Sequence, residues 1–295
     1  MMKLWTIGTG IASIAIAAPL AAQAQTVKPA VAPASPGYTM PFTAMWDIKA
    51  NHGDIYRIFV SYPEGEPPEG GWPVLYVLDG NAMFAAFAET RRMIGWTKGS
   101  EMIVVGVGYP THQAYDMRRL NDFTGAATDS AAYAKFAKEK YGGWDRFLDF
   151  LTGKLRTEIG TRYKTNPLRQ SLFGHSLGGL FATHTLFTRP DAFHAIIAAS
   201  PSLFWHEALT LKEERDFVAR LQAGKGGRVA RLLVVSGERE EAILERWDGE
   251  AFVKRMEPLS AHGLRVQSHV YADEGHMTVP VRAVTDTLRF ALAWP

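Results

Sequence analysis

Ser176 lies in the stretch SLFGHSLGGLFATH (171–184), bracketed by Gly174 and Gly178, after an apolar run and before a helical one. One use for that arrangement is a tight packing corner. The other is a nucleophile elbow, a sharp strand-to-helix turn that leaves a serine hydroxyl exposed at its tip. Such a turn crowds the backbone, so small residues are expected two positions before and two after the serine. The following helix offers positive potential and a free N–H, here from Leu177.

A serine hydroxyl is a weak nucleophile and needs a base. Where a nucleophile elbow ends a sheet strand, the order along the chain is serine, acid, histidine. Of nine histidines, only His262, His269 and His276 follow the seventh predicted strand. His262 falls at a helix end and His269 inside a strand. His276, in Asp273-Glu274-Gly275-His276, falls in a loop at the carboxyl edge of the sheet, so it is the expected base. The acid is expected in Ser236-Gly237-Glu238-Arg239-Glu240-Glu241, where it would fix the imidazole tautomer. Glu240 is favoured and Glu238 is next, with a Ser–His dyad as the remaining option. The two oxyanion donors are expected to be the backbone N–H groups of Leu177 and, beyond Gly80 in Leu78-Asp79-Gly80-Asn81, of Asn81.

The elements that must position these groups follow from the hydropathy pattern. Strands are predicted at Phe42–Lys49, Ile55–Tyr62, Val74–Leu78, Met102–Val107, Ser171–Phe173, Ala195–Ala199, Leu232–Val235 and Val266–Tyr271. The first two flank Asn51-His52-Gly53-Asp54, a hairpin signal. Inner strands are continuously apolar, as in a parallel sheet covered on both faces. Helical periodicity occupies 82–94, 143–163, 177–188, 208–223, 247–260 and 278–292. The expectation is an α/β-hydrolase fold: a mostly parallel eight-stranded sheet, an antiparallel N-terminal hairpin and helices on both faces. Residues 109–142 are expected to drape over one end of it.

The chain has 295 residues, 47% hydrophobic and 21% charged, with a formal charge of +2. That balance gives no electrostatic case for nucleic acid. The absence of cysteine excludes disulfides, thiolate metal sites and a cysteine nucleophile. His206-Glu207 begins like a zinc motif, but position 210 is Thr210, so a metal hydrolase is not supported and no cofactor is expected. Lys3, the apolar run Leu4–Leu20 and Ala22-Gln23-Ala24 describe a cleavable signal peptide over residues 1–24. A flexible leader over 25–41 and a single catalytic domain over 42–295 would follow. The expected protein is periplasmic or secreted, with no stable membrane insertion after cleavage.

The stretches YRIFVSYPEG (56–65), PVLYVLDGNAMF (73–84), RLNDFT (119–124), GHSLGGLF (174–181), SPSLFW (200–205) and EGH (274–276) resemble the esterase D-type branch of α/β hydrolases. More narrowly they are similar to its siderophore-esterase members, which open the trilactone of enterobactin-type siderophores. The resemblance implies a serine carboxylic ester hydrolase acting through a seryl acyl-enzyme, with Ser176 as nucleophile, His276 as base and Glu240 as acid. It implies a small-molecule ester substrate such as a ferric or apo catecholate siderophore. It also places Arg119 at the active-site mouth, where Arg118 and Trp205 could contact the arms of such a substrate. Gly125 replaces the proline usual in this family, and Arg118 is additional. A general exported carboxylesterase, an acyltransferase and a non-catalytic binding protein on the same fold are the alternatives, since fold does not fix substrate.

Overall fold

The computed structural model describes residues 38–126, 140–240 and 249–293. The expected signal peptide, the leader up to residue 37 and part of the draping segment lie outside the described residues. By its contacts the chain divides into Met1–Met40 and Pro41–Pro295, and the second unit carries all that follows.

Eight strands form one sheet: β1 (Thr43–Lys49), β2 (Ile55–Ser61), β3 (Trp72–Leu78), β4 (Ile103–Gly108), β5 (Thr165–His175), β6 (Ala195–Ala199), β7 (Arg231–Gly237) and β8 (Val266–Tyr271). Their order is β1-β2-β4-β3-β5-β6-β7-β8. β1 and β2 pair antiparallel, as do β2 and β4, and every later neighbour is parallel. This is the α/β-hydrolase arrangement. β3, β4 and β6 are buried nearly throughout because helices cover both faces. β5 extends well beyond the predicted three residues. Its first half, Thr165-Asn166-Pro167-Leu168-Arg169, is polar, partly exposed and interrupted by proline, and its register with β3 shifts there.

The helices are α1 (Gly80–Ile94), α2 (Arg119–Asp122), α3 (Trp144–Phe150), α4 (Arg156–Arg162), α5 (Leu177–Thr188), α6 (Glu207–Gln222), α7 (Gly249–Met256), α8 (Val279–Arg282) and α9 (Val284–Leu292). The single helix expected over 143–163 is α3 and α4 joined by a π-helical turn, Leu151–Leu155. The wider turn keeps Leu148, Leu151, Leu155 and Ile159 all buried. The helix expected over 278–292 breaks at Ala283 into α8 and α9. Among the described residues, no helix is long and apolar enough to cross a membrane.

α5 is buried on every side, which suits its position between the sheet and the α3–α4 and α6 layer. His184 on α5 is its one strongly polar member. The ring stacks on Trp144 at 3.7 Å, its Nδ1 meets Glu213 at 2.9 Å and its Nε2 lies 3.5 Å from Asp145. Burial opposes a charge on this imidazole, but the two carboxylates outweigh burial and raise its pKa above the ordinary value. The stabilisation this gives is complete below the unfolded pKa, about 6.5, and is lost as pH rises through the raised folded value. The difference in melting temperature between the native protein and a Glu213→Gln variant should therefore be largest near pH 6 and narrow towards pH 9. A difference independent of pH would show that His184 stays neutral in the fold.

Candidate active site

Ser176 sits between the end of β5 and the start of α5 with φ 60° and ψ −117°, a conformation costly for a residue with a β-carbon. Its N–H donates to the Ala199 carbonyl at 3.0 Å, and its own carbonyl accepts from Ser202 N–H at 3.1 Å. The two glycines beside it are not equivalent. A β-carbon at Gly174 would meet the Gly178 carbonyl oxygen at 2.0 Å, so the elbow cannot close with any other residue there. At Gly178 a β-carbon would find Leu78 at 3.5 Å, an ordinary contact. The expectation that both positions must be small holds for the first alone.

Backbone strain is concentrated around this point. Among the described residues five non-glycine positions have positive φ, and four of them are Asp79, Ser176, Ser200 and Asp273. These follow β3, β5, β6 and β8 at their carboxyl ends. Strain of this kind persists where surrounding contacts fix it, and it gathers at functional sites.

His276 reaches the elbow from the loop after β8. His175, beside Ser176, donates through Nε2 to the His276 carbonyl at 2.8 Å, and the two rings lie 4.7 Å apart. Burial, with the neighbouring His276 adding to it, pushes the His175 pKa down to about 3, so this residue is a neutral clamp. His276 Nδ1 meets Glu240 Oε2 at 3.0 Å, and both side chains are largely buried. The other carboxylate oxygen of Glu240 accepts from Gly237 N–H at 3.0 Å and from the Ser200 hydroxyl. Burial opposes ionisation of Glu240, but hydrogen bonds from His276, Ser200 and Gly237 hold its carboxyl below the usual range. Glu238 turns away and accepts from Asp273 N–H at 3.0 Å. His269 faces Tyr271 along β8 at 4.3 Å, away from this cluster.

Two residues not singled out from sequence complete the arrangement, both in Ser200-Pro201-Ser202. Ser200 bonds Glu240, and Ser202 Oγ lies 3.2 Å from Ser176 Oγ. The segment SPSLFW marked the place, but nothing local in it signals which serine faces which partner.

On the other side of the elbow, Leu177 and Asn81 stand in the first turns of α5 and α1, where backbone N–H groups have no acceptor within the helix. The Asn81 side chain is fully engaged with the backbone: it accepts from Tyr109 N–H at 2.8 Å and donates to the carbonyls of Tyr109 and Thr111 at 3.0 Å. It anchors α1 and leaves its own main-chain N–H for another partner.

The three expected substrate contacts separate. Trp205 is 8% exposed and packs in the core, not at a mouth. Arg119 is paired through Nε and Nη2 with both carboxylate oxygens of Asp79, at 2.8 and 2.9 Å, and its side chain is 12% exposed. It is a buried ion-pair partner and not a free cation at the entrance. Arg118, the most exposed of the three, pairs with Asp116 and lies over the Tyr109 ring. It borders a cleft of about 510 Å³ lined also by His52, Asp54, Tyr56, Met117, Asn121, Asp122, Lys140 and Arg146. Burial pushes the Asp122 carboxyl in this cleft up to about 6, against hydrogen bonds from Asn121, Tyr109 and Tyr56.

The Esterase family model ("Putative esterase") matches residues 50–278. The chain is 34% identical over 268 residues to the ferri-bacillibactin esterase BesA of Bacillus subtilis, covering 88% of this chain and 92% of that protein. It is 30% identical over 240 residues to a siderophore enterobactin esterase of Emericella nidulans, covering 77% and 79%. Among solved structures, the BES protein from Bacillus cereus superposes with a TM-score of 0.80 at 29% identity, over 88% of this chain and 99% of that one. With the elbow, the sheet order and the strained loops in the same places on the chain as the matched region, the protein belongs to the Esterase family of α/β-hydrolase serine hydrolases.

Proposed function

We propose that this protein is an exported siderophore esterase that cleaves the ester bonds of a cyclic triester siderophore. The observation that supports the chemistry most directly is the Glu240–His276 contact brought against the strained Ser176 elbow. Ser176 Oγ attacks the ester carbonyl while His276 takes its proton, and Glu240 orients the imidazole. The tetrahedral oxyanion is met by the N–H groups of Leu177 and Asn81. The intermediate expels the alkoxide, which takes the proton from His276, and leaves a seryl ester. Water, deprotonated by His276, then releases the acid and restores Ser176. The Ser176 hydroxyl also lies 3.2 Å from that of Ser202.

The substrate class rests on similarity to enzymes named for ferri-bacillibactin and enterobactin over most of their length. Arg118, Lys140 and Arg146 at the open cleft would suit the negative charge of a ferric catecholate complex. Export is part of the same reading, from Lys3 and the apolar run Leu4–Leu20.

The test is a panel of apo and ferric catecholate trilactones alongside small aryl esters. Ring opening of a trilactone should exceed simple-ester hydrolysis by at least about tenfold in kcat/KM, since remote binding contacts contribute to the transition state. Efficient aryl-ester cleavage with no trilactone turnover would leave a general esterase.

A further inference from the structure

We infer that the buried Asp79–Arg119 ion pair is a positioning device for the oxyanion hole, and that Arg119 protects the developing oxyanion from the Asp79 carboxylate. The inference rests on the assignment of Leu177 and Asn81 as oxyanion donors. Asp79 joins β3 to α1 with φ 52° and ψ 47°, left-handed values unusual for a residue with a side chain. That bend sends α1 off with its first N–H groups at the carboxyl edge of the sheet. Asp79 O accepts from Ala82 and Met83 N–H at 2.9 and 3.0 Å, fixing the first turn from inside.

The side chain adds a second constraint. Asp79 is 2% exposed, and its two oxygens take both prongs of the Arg119 fork. Arg119 is itself held at the start of α2, its guanidinium over the rings of Tyr115 and Phe123 at 5.4 and 5.3 Å. A planar fork fixed at both ends sets the carboxylate in position as well as orientation. The carboxylate also lies beside the first turn of α5. A β-carbon at Gly178, the residue after Leu177, would meet Asp79 Oδ2 at 3.7 Å. Asp79 therefore fixes the first turn of α1 through its backbone and stands beside the first turn of α5 through its carboxylate.

That location carries an electrostatic cost. A bare carboxylate beside the place where an ester oxygen becomes negative would oppose that charge in a poorly screened site. Arg119 cancels it. The arginine thus acts on the transition state through another residue, without touching substrate.

The experiment compares Arg119→Gln, Arg119→Lys and the Asp79→Asn/Arg119→Gln double variant on a small neutral aryl ester. Folding is followed by thermal melting and active sites by stoichiometric fluorophosphonate labelling. Arg119→Gln should lower kcat on the order of 10²-fold, the scale of losing one oxyanion donor, with KM within about twofold. The double variant, which removes the stranded charge, should recover about tenfold or more of that loss. Arg119→Lys keeps the charge but loses the fork, so kcat should fall about tenfold with KM unchanged. It answers the question even where Arg119→Gln does not fold. A raised KM with unchanged kcat, or a double variant no better than the single, overturns the inference. Failure of the native protein to take up label at Ser176 would instead overturn the proposed function, so the two failures are distinct.

Discussion

Ser176→Ala should lose ester hydrolysis by on the order of 10⁴-fold or more, on every ester the native protein cleaves, while KM changes little and the fold is retained. The size follows from the way the site is assembled. Without the hydroxyl no acyl-enzyme forms, so His276 and Glu240 have nothing to activate except water. What remains is binding and the oxyanion donors. The fold should tolerate the change because the elbow is held by its backbone, through Ser176 N–H to Ala199 and the Ser176 carbonyl to Ser202, and by Gly174. Alanine can occupy the same strained φ and ψ at a cost the serine already bears. Turnover measured beside a melting curve checks both halves. A variant that keeps turnover within about tenfold of native would remove Ser176 from the mechanism.

Parts of this site were legible in the sequence because they are set by local backbone chemistry. Gly174 and Ser176 mark a turn that can be read within five residues, and the end of β8 limits which histidine can approach it. Glu240 follows from the same logic less sharply, since Glu238 lies on the same short loop. The choice between them depends on how Gly237 ends β7. There a β-carbon would meet the Glu274 carbonyl oxygen at 2.2 Å, so the loops after β7 and β8 run in close contact. That contact gives Glu238 to the Asp273 backbone and leaves Glu240 for His276.

Arg119 was not legible. Sequence proximity suggests Asp122 as its partner, three residues on, yet its partner is Asp79, forty residues upstream. Asp122 instead bonds Tyr109 and Asn121. Long-range pairing of this kind depends on where a loop comes to rest, which no local pattern records. The π-turn in the α3–α4 helix escaped for a related reason: it preserves the apolar spacing from which the helix is read, and alters the backbone alone.

Glu240→Gln should cost about 10³- to 10⁴-fold in kcat, while Glu238→Gln should stay within about threefold of native. The argument turns on donors. One oxygen of Glu240 accepts from Gly237 N–H and from the Ser200 hydroxyl. A glutamine must keep its carbonyl oxygen there, because an amide NH₂ turned towards Gly237 would set donor against donor. Its NH₂ is then directed at His276 Nδ1, where the native carboxylate accepts at 3.0 Å. To accept from that NH₂, the imidazole must carry its proton on Nε2, the nitrogen that has to receive the Ser176 proton. The substitution therefore preserves shape and reverses the tautomer. Glu238 makes one backbone contact, to Asp273 N–H, which a glutamine carbonyl reproduces. Steady-state kinetics on both variants, with fluorophosphonate labelling rates as a second reading of Ser176 nucleophilicity, separate the cases. Small and equal losses would mean that Ser176 and His276 work as a dyad. A greater loss at Glu238 would move the acid to the other end of the loop.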